Sequence, residues 1–175
     1  RKKPRFVDVD KCTGCGDCTR ACRLFGHVPD DFNLGLNKRG AAYIPFPQAI
    51  PLKATIDPSY CLMKRFGNCG DKPLCVEACE PGAIDFDQKE EEVELKVGAI
   101  VVATGYDLLD PARMFEYGYT LSKDVITTLE LERLISSSGP TSGKVVLPSN
   151  GEKPRSVTFI LCAGSRDETQ CTWCC

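Results

Sequence analysis

The chain has 175 residues, and its 22 Lys and Arg nearly balance its 24 Asp and Glu. This balance offers no basic surface for nucleic acid, and no apolar run is long enough to span a bilayer. No charged-then-apolar signal sequence opens the chain. We therefore expect a soluble, cytoplasmic protein of one medium domain or two small ones, with neither nucleic acid nor membrane as partner.

Cysteine dominates the composition, with twelve Cys against a single His, His27. An even number of cysteines would fit a disulfide framework, but such frameworks belong to short secreted chains that carry a signal sequence. Clustered thiols at short, regular spacing in a reducing compartment are instead typical metal ligands. We expect His27 to lie on the surface, since one His supports no His-based metal site or general base.

The first cysteine motif has the spacing Cys-x2-Cys-x2-Cys-x3-Cys. Three thiolates at such intervals wrap one loop around three corners of a 4Fe–4S cubane, and the intervening glycines let the backbone turn closely. Structural zinc sites use Cys-x2-Cys pairs, to which a third Cys at the same interval is surplus. The motif therefore predicts cluster ligands at Cys12, Cys15, Cys18 and Cys22.

A second, looser copy follows at Cys61, Cys69, Cys75 and Cys79. The two copies share an Asp four residues before the first Cys, Asp8 and Asp57, which we expect to cap turns. The last Cys of each motif serves the other cluster in two-cluster ferredoxins. We therefore expect cluster 1 on Cys12, Cys15, Cys18 and Cys79, and cluster 2 on Cys61, Cys69, Cys75 and Cys22.

The pattern departs from a compact ferredoxin in two places. Arg23 and Glu80 follow the last Cys of each copy, where Pro normally stands, and Pro81 comes one residue later. Between the copies lie 38 residues that include the proline-rich segment 43–51. This segment is either a docking surface or cover for a cluster, or a packed surface loop.

Composition changes near residue 90, which predicts a ferredoxin-like domain over 1–90 and a different segment over 91–175. Alternating apolar and polar residues predict a strand over 93–97. Continuous apolar runs predict two buried parallel strands, each ending at a Gly turn, over 98–106 and 157–166. Ligands bind at such turns in α/β sheets. Apolar spacing over 124–136 predicts a helix between them.

The whole chain resembles the A-subunit family of heterodisulfide reductases, which are FAD- and iron–sulfur-containing flavoproteins of the thioredoxin-reductase-like class. The resemblance implies an α+β fold, in which a two-cluster 4Fe–4S ferredoxin-like domain precedes part of an α/β flavoprotein domain. It rests on the first cysteine motif and on segments 43–51, 79–86, 98–106, 125–133, 138–143 and 162–167.

The resemblance also implies further cofactor sites. Ala103, Thr104 and Gly105 belong to the FAD-binding side in such proteins. The Gly-x-Gly-x-x-Gly loop that cradles the pyrophosphate is absent here, so we expect it before Arg1 and FAD only in the full-length parent. The last four cysteines are Cys162, Cys171, Cys174 and Cys175. They either hold a third 4Fe–4S cluster or are free thiols.

The resulting hypothesis is an electron conduit in an oxidoreductase of methanogenesis, with no bond-breaking site of its own. The resemblance implies as partners the other subunits of a heterodisulfide reductase-type complex and a donor such as hydrogenase, formate dehydrogenase or ferredoxin. Two alternatives stay open: a zinc-stabilised interaction module without redox function, and the ferredoxin module of a related sulfate-reduction flavoprotein.

Overall fold

The computed structural model of the chain describes residues 1–105 and 107–169. The chain divides into two compact units, Arg1–Val102 and Ala103–Cys175. The expectation that 91–175 is part of a flavoprotein domain is not tested by this division and stays a prediction. No helix among the described residues is long and apolar enough to cross a membrane.

The first unit consists of short elements joined by turns. Its strands are β1 (Val28–Pro29), β2 (Lys38–Arg39), β3 (Ala42–Tyr43) and β4 (Thr55–Ile56). Its α-helices are α1 (Asp17–Ala21), α2 (Leu62–Phe66) and α3 (Leu74–Glu77). A 3-10 turn, Asp31–Asn33, lies between β1 and β2. Asp30 caps its start, and the Asp30 side chain accepts from the Phe32 amide.

The two sequence copies are related by the way they pair. Strand β4, just before the second cysteine motif, runs antiparallel to β3, which follows the first motif. Before the first motif, Val7 forms the corresponding bridge with Ile84, which follows the second motif. Backbone of each copy therefore pairs with backbone of the other.

The core of the first unit is made of small side chains. Cysteines Cys12, Cys18, Cys61 and Cys75 are buried beside Ala41, Ala42, Ala54 and Ala83, with Phe6, Val7 and Ile56 as its larger apolar members. Such a core buries little apolar surface for a segment of this length. Ligation of metal by the buried thiols would supply folding free energy that the apolar core lacks.

The second unit contains α4 (Thr128–Ile135) and two 3-10 turns, Pro111–Arg113 and Phe115–Tyr117. A capping box starts α4, since the Thr127 hydroxyl accepts from the Glu130 amide and the Glu130 carboxylate accepts from the Thr127 amide. The helix predicted over 124–136 is thus present, with a later start because this cap fixes its first turn.

The strands predicted over 93–97, 98–106 and 157–166 are not formed among the described residues of these segments. Ile100 and Val101 are 81% and 89% exposed, whereas a buried parallel strand would cover both faces. The prediction was wrong for this chain because an apolar run becomes a strand only when neighbouring strands complete its hydrogen bonds. The described residues supply no such neighbours here.

Candidate iron–sulfur centres

The first cysteine loop is shaped by a turn and by glycine. The Asp8 carboxylate accepts from the Asp10 amide at 3.0 Å, and the Asp8 carbonyl accepts from the Cys12 amide at 2.9 Å. Gly14 then adopts φ 78°, where a Cβ would collide with the carbonyl oxygen of Leu52. The loop therefore requires glycine at this position and carries its thiols toward one side.

The second loop begins with the same turn. The Asp57 carboxylate accepts from the Ser59 amide, and the Asp57 carbonyl accepts from the Cys61 amide, each at 2.9 Å. Both aspartates thus cap turns, which confirms the role predicted for them. Cys61 directly precedes α2 and Cys75 lies within α3, so helix starts orient both thiols.

The eight thiols of the two motifs gather around two separate cavities. Helices α1 and α3 pack against each other, which brings the cysteine at the end of each motif next to the other motif. One cavity is lined by Cys12, Cys15, Cys18 and Cys79. The other is lined by Cys22, Cys61, Cys69 and Cys75. The linings group the cysteines as in the crossed assignment, and the binding of a cluster by each group stays a prediction.

The remaining walls of both cavities are mostly apolar. Ala54 and Ala83 belong to the first cavity, and Ile56, Met63 and Phe86 to the second. The Ala83 amide donates to the Sγ atom of Cys79 at 3.2 Å. Backbone donors to thiolate sulfur and apolar surroundings are the features with which proteins accommodate iron–sulfur clusters and tune them. The residues present therefore fit such a group.

Burial and crowding disfavour ionised thiols when no metal is bound. Burial, helped by the neighbouring thiols of Cys22, Cys61 and Cys69, raises the pKa of Cys75 to about 12. Burial also raises the pKa of Cys18, beside Cys12 and Cys79. Iron would supply the positive charge that makes these groups thiolates. Without iron, repulsion between neighbouring thiolates would prevent several of them from being ionised in one cavity.

A single-ion site does not fit this geometry. Across residues 1–105 and 107–169, no three His, Cys, Asp or Glu side chains lie close enough together to hold one metal ion. Four thiolates at ~2.3 Å from one zinc ion would lie within about 4 Å of each other. The described cysteines form no such group, which favours clusters over zinc.

The proline-rich segment adjoins the first cysteine loop, since a Cβ at Gly16 would lie 3.9 Å from the Ile44 side chain. Two residues after the segment, Lys53 donates its ammonium hydrogen to the carbonyl of Cys12. Phe46 stacks on Phe32 with ring centroids 4.8 Å apart, while Ile50 is 97% exposed. The segment is thus packed at Ile44 and Phe46 and exposes an apolar side chain at Ile50, which leaves both of its predicted roles open.

A buried arginine, not anticipated from the sequence, supports the second loop. Arg39 Nη2 donates to Asp31 and Asp57 at 2.9 Å each, and Nη1 donates to the Gly40 carbonyl at 3.1 Å. The guanidinium also lies 3.7 Å from the Tyr43 ring centroid. Burial lowers the pKa of Arg39, but hydrogen bonds to Asp57 and Asp31 outweigh it and raise the pKa overall. Only tertiary structure brings these charges together.

The other predicted site residues belong to the second unit. Ala103, Thr104 and Gly105 are exposed, as is Cys162, which has φ 50°. Cys171, Cys174 and Cys175 fall outside the described residues, so the third cluster is untested. His27 is exposed, as expected, and its Nδ1 lies 2.8 Å from the Phe25 carbonyl oxygen.

Comparison with known proteins agrees with this geometry. Residues 3–24 match the family described as a 4Fe-4S binding domain. The chain is 54% identical over 167 residues to the A subunit of the H(2):CoB-CoM heterodisulfide,ferredoxin reductase of Methanothermobacter thermautotrophicus, covering 95% of this chain and 24% of that protein.

Two further relatives point the same way. The iron-sulfur A subunit of the CoB--CoM heterodisulfide reductase of Methanocaldococcus jannaschii is 52% identical over 166 residues, 95% of this chain and 24% of that protein. The A subunit of the H(2)/formate:CoB-CoM heterodisulfide,ferredoxin reductase of Methanococcus maripaludis is 50% identical over 167 residues, with the same two shares.

The chain is therefore an iron–sulfur-binding protein segment of ferredoxin type. It belongs to the A-subunit family of heterodisulfide reductases, and it spans about a quarter (24%) of the length of the relatives described above.

Proposed function

We propose that this chain is an electron relay with two 4Fe–4S clusters, one in each thiol-lined cavity, within a flavoprotein of the heterodisulfide reductase A type. The observation that carries the proposal is the grouping of eight cysteines into two crossed sets of four, each lining its own cavity. Four thiolates per cavity match the four iron corners of a cubane.

The chain's own residues would hold and insulate these clusters. Cys12, Cys15, Cys18 and Cys79 are assigned to the first cluster, and Cys22, Cys61, Cys69 and Cys75 to the second. When bound, the clusters supply one-electron redox chemistry. The apolar walls limit the access of water, and the Ala83 amide stabilises negative charge on Cys79.

In the full-length protein, the relay would carry electrons between partner redox centres and FAD, near Ala103, Thr104 and Gly105. The names of relatives include heterodisulfide, ferredoxin, H2 and formate, which supports other reductase subunits and ferredoxin-, hydrogenase- or formate dehydrogenase-type donors as partners. Electron transfer alone is proposed for this chain, since no nucleophile paired with a base stands out in its sequence.

Anaerobic determination of iron and sulfide per chain tests the proposal. About eight iron atoms in the 175-residue chain would support two clusters, and about twelve would mean that the late cysteines also bind one. A colourless protein with zinc in place of iron would refute the proposal. Broad visible absorbance that bleaches with dithionite is the expected spectrum.

Four serine variants test the crossed assignment. Cys22→Ser is expected to remove or alter the same electron paramagnetic resonance signal as Cys75→Ser, although Cys22 belongs to the first motif. Cys79→Ser should instead affect the signal that Cys12→Ser affects. The crossed assignment fails if Cys22→Ser and Cys12→Ser alter one signal and leave the other intact.

A further inference from the structure

Arg23 has a distinctive place beside the second cavity. It follows Cys22 directly, and its side chain is part of the wall formed around Cys22, Cys61, Cys69 and Cys75. Its Nε–H donates to the carbonyl of Cys69 at 2.8 Å. Among the described residues that line the two cavities, Arg23 has the only ionised side chain.

The loop after Cys69 is shaped to receive this guanidinium. Gly70 adopts φ 83°, and a Cβ at this position would lie 2.5 Å from Nη2 and 2.8 Å from Cζ of Arg23. The absence of a side chain at Gly70 therefore lets the guanidinium lie directly on the loop backbone. One hydrogen bond and this close approach hold the positive charge at the edge of the cavity.

The first cavity has no equivalent charge in its wall, as far as the described residues show. The position that corresponds to Arg23 in the second copy is Glu80, which is exposed and does not line the cavity. The ammonium of Lys53 binds the Cys12 carbonyl, on the backbone of the loop, but Lys53 is not in the wall either. Arg20 Nη2 donates to the Cys15 carbonyl at 3.5 Å, also without lining the cavity. The two cavities thus differ in that a charged residue lines only the second, among the described residues.

We propose that Arg23 is a positioning residue whose positive charge raises the reduction potential of the cluster held by Cys22, Cys61, Cys69 and Cys75. Reduction adds one negative charge to a cluster, and a cation fixed at the edge of an apolar cavity stabilises the reduced form more than the oxidised one. This inference rests on the proposed function, because it requires a cluster in that cavity.

The test is a redox titration of the full-length protein with both clusters in place, followed by electron paramagnetic resonance. Arg23→Gln keeps a hydrogen-bond donor near the Cys69 carbonyl and removes the charge. Arg23→Lys keeps the charge without the planar fork. Arg65→Gln is the matched control, because Arg65 is also an exposed arginine of this unit but does not line either cavity.

For Arg23→Gln, we expect the ratio of reduced to oxidised cluster at a fixed potential to fall by roughly three- to tenfold for one cluster, where tenfold equals about 59 mV for one electron. The other cluster should keep its potential, Arg23→Lys should retain most of the wild-type value, and Arg65→Gln should change neither. The proposal is overturned if Arg23→Gln keeps its iron with unchanged potentials, or if Arg23→Lys shifts the potential equally.

The wild-type protein provides a second measurement should Arg23→Gln lose iron. Raising the ionic strength to about 1 M shortens the Debye length to about 3 Å, which should screen a charge at the cavity edge and lower the potential of this cluster. An unchanged potential would contradict the inference. Iron near zero in the wild-type protein would instead refute the proposed function, so the two failures are distinguishable.

Discussion

Replacing Arg39 with methionine tests whether the buried arginine holds the second cysteine loop in place. Methionine keeps an unbranched apolar stem against Tyr43 and removes the guanidinium. The side chain of Arg39 is 6% exposed and that of Asp57 17%, so this ion pair is largely shielded from water, whereas Asp31 is 84% exposed. The variant therefore leaves the Asp57 carboxylate shielded without its cation.

The free energy that Arg39→Met costs the folded state follows from this difference in exposure. Removing one partner of a fully buried pair costs ~3–5 kcal/mol, and an exposed pair contributes ~0–1 kcal/mol. Because Asp57 keeps some contact with water, we expect about 2–3 kcal/mol for Arg39→Met. At about 1.4 kcal/mol per factor of ten, the loop that begins at Asp57 should open roughly 30- to 100-fold more often.

The assay is the anaerobic rate of iron release to a chelator, measured by loss of visible absorbance. Arg39→Met and Asp57→Asn should both speed release from one cluster, since the Asp57 carbonyl and carboxylate shape the turn before Cys61. Asp31→Asn is the matched control and should have little effect. Equal rates in wild type and Arg39→Met, or an equally large effect of Asp31→Asn, would refute the reasoning.

Two further predictions concern single residues. Gly14→Ala should lose iron much faster than the control Gly26→Ala. Both glycines have positive φ, but only at Gly14 would a Cβ collide with backbone atoms. Equal rates of iron loss would mean that backbone strain alone matters. Burial, followed by the hydrogen bond to Glu130, raises the pKa of Tyr119. Its stabilising contribution is therefore complete below the ordinary tyrosine pKa of about 10 and is lost as pH rises through the higher folded-state value. Alkaline unfolding followed by circular dichroism should be less steep in Tyr119→Phe; the same steepness would contradict this.

The cysteine pattern was readable from the sequence because ligand spacing is a local property. Three thiols at x2 intervals define a loop, and the repeated Asp before the first Cys defines a turn, wherever the rest of the chain lies. The helix predicted over 124–136 was readable for the same reason, although its first residue, Thr128, was not. Each of these signals is contained within a few consecutive residues.

Features that depend on distant residues were not readable. Arg39 and Asp57 are 18 residues apart in the sequence, and Arg23 and Cys69 are 46 apart. No local sequence pattern therefore predicts either contact. The failed strand predictions have the opposite cause. The run that includes Ile100 and Val101 has the composition of a buried strand, but composition does not provide the neighbours that a sheet requires.

The crossing of the two cysteine sets has a consequence for biosynthesis. With the ligands assigned as proposed, the first cluster lacks its fourth ligand until Cys79 has left the ribosome, although its other three cysteines all lie at positions 12–18. The second cluster draws a ligand from residue 22 and three from residues 61–75. Neither cluster can be completed on half of the domain, so cluster loading would await synthesis of nearly the whole ferredoxin-like part.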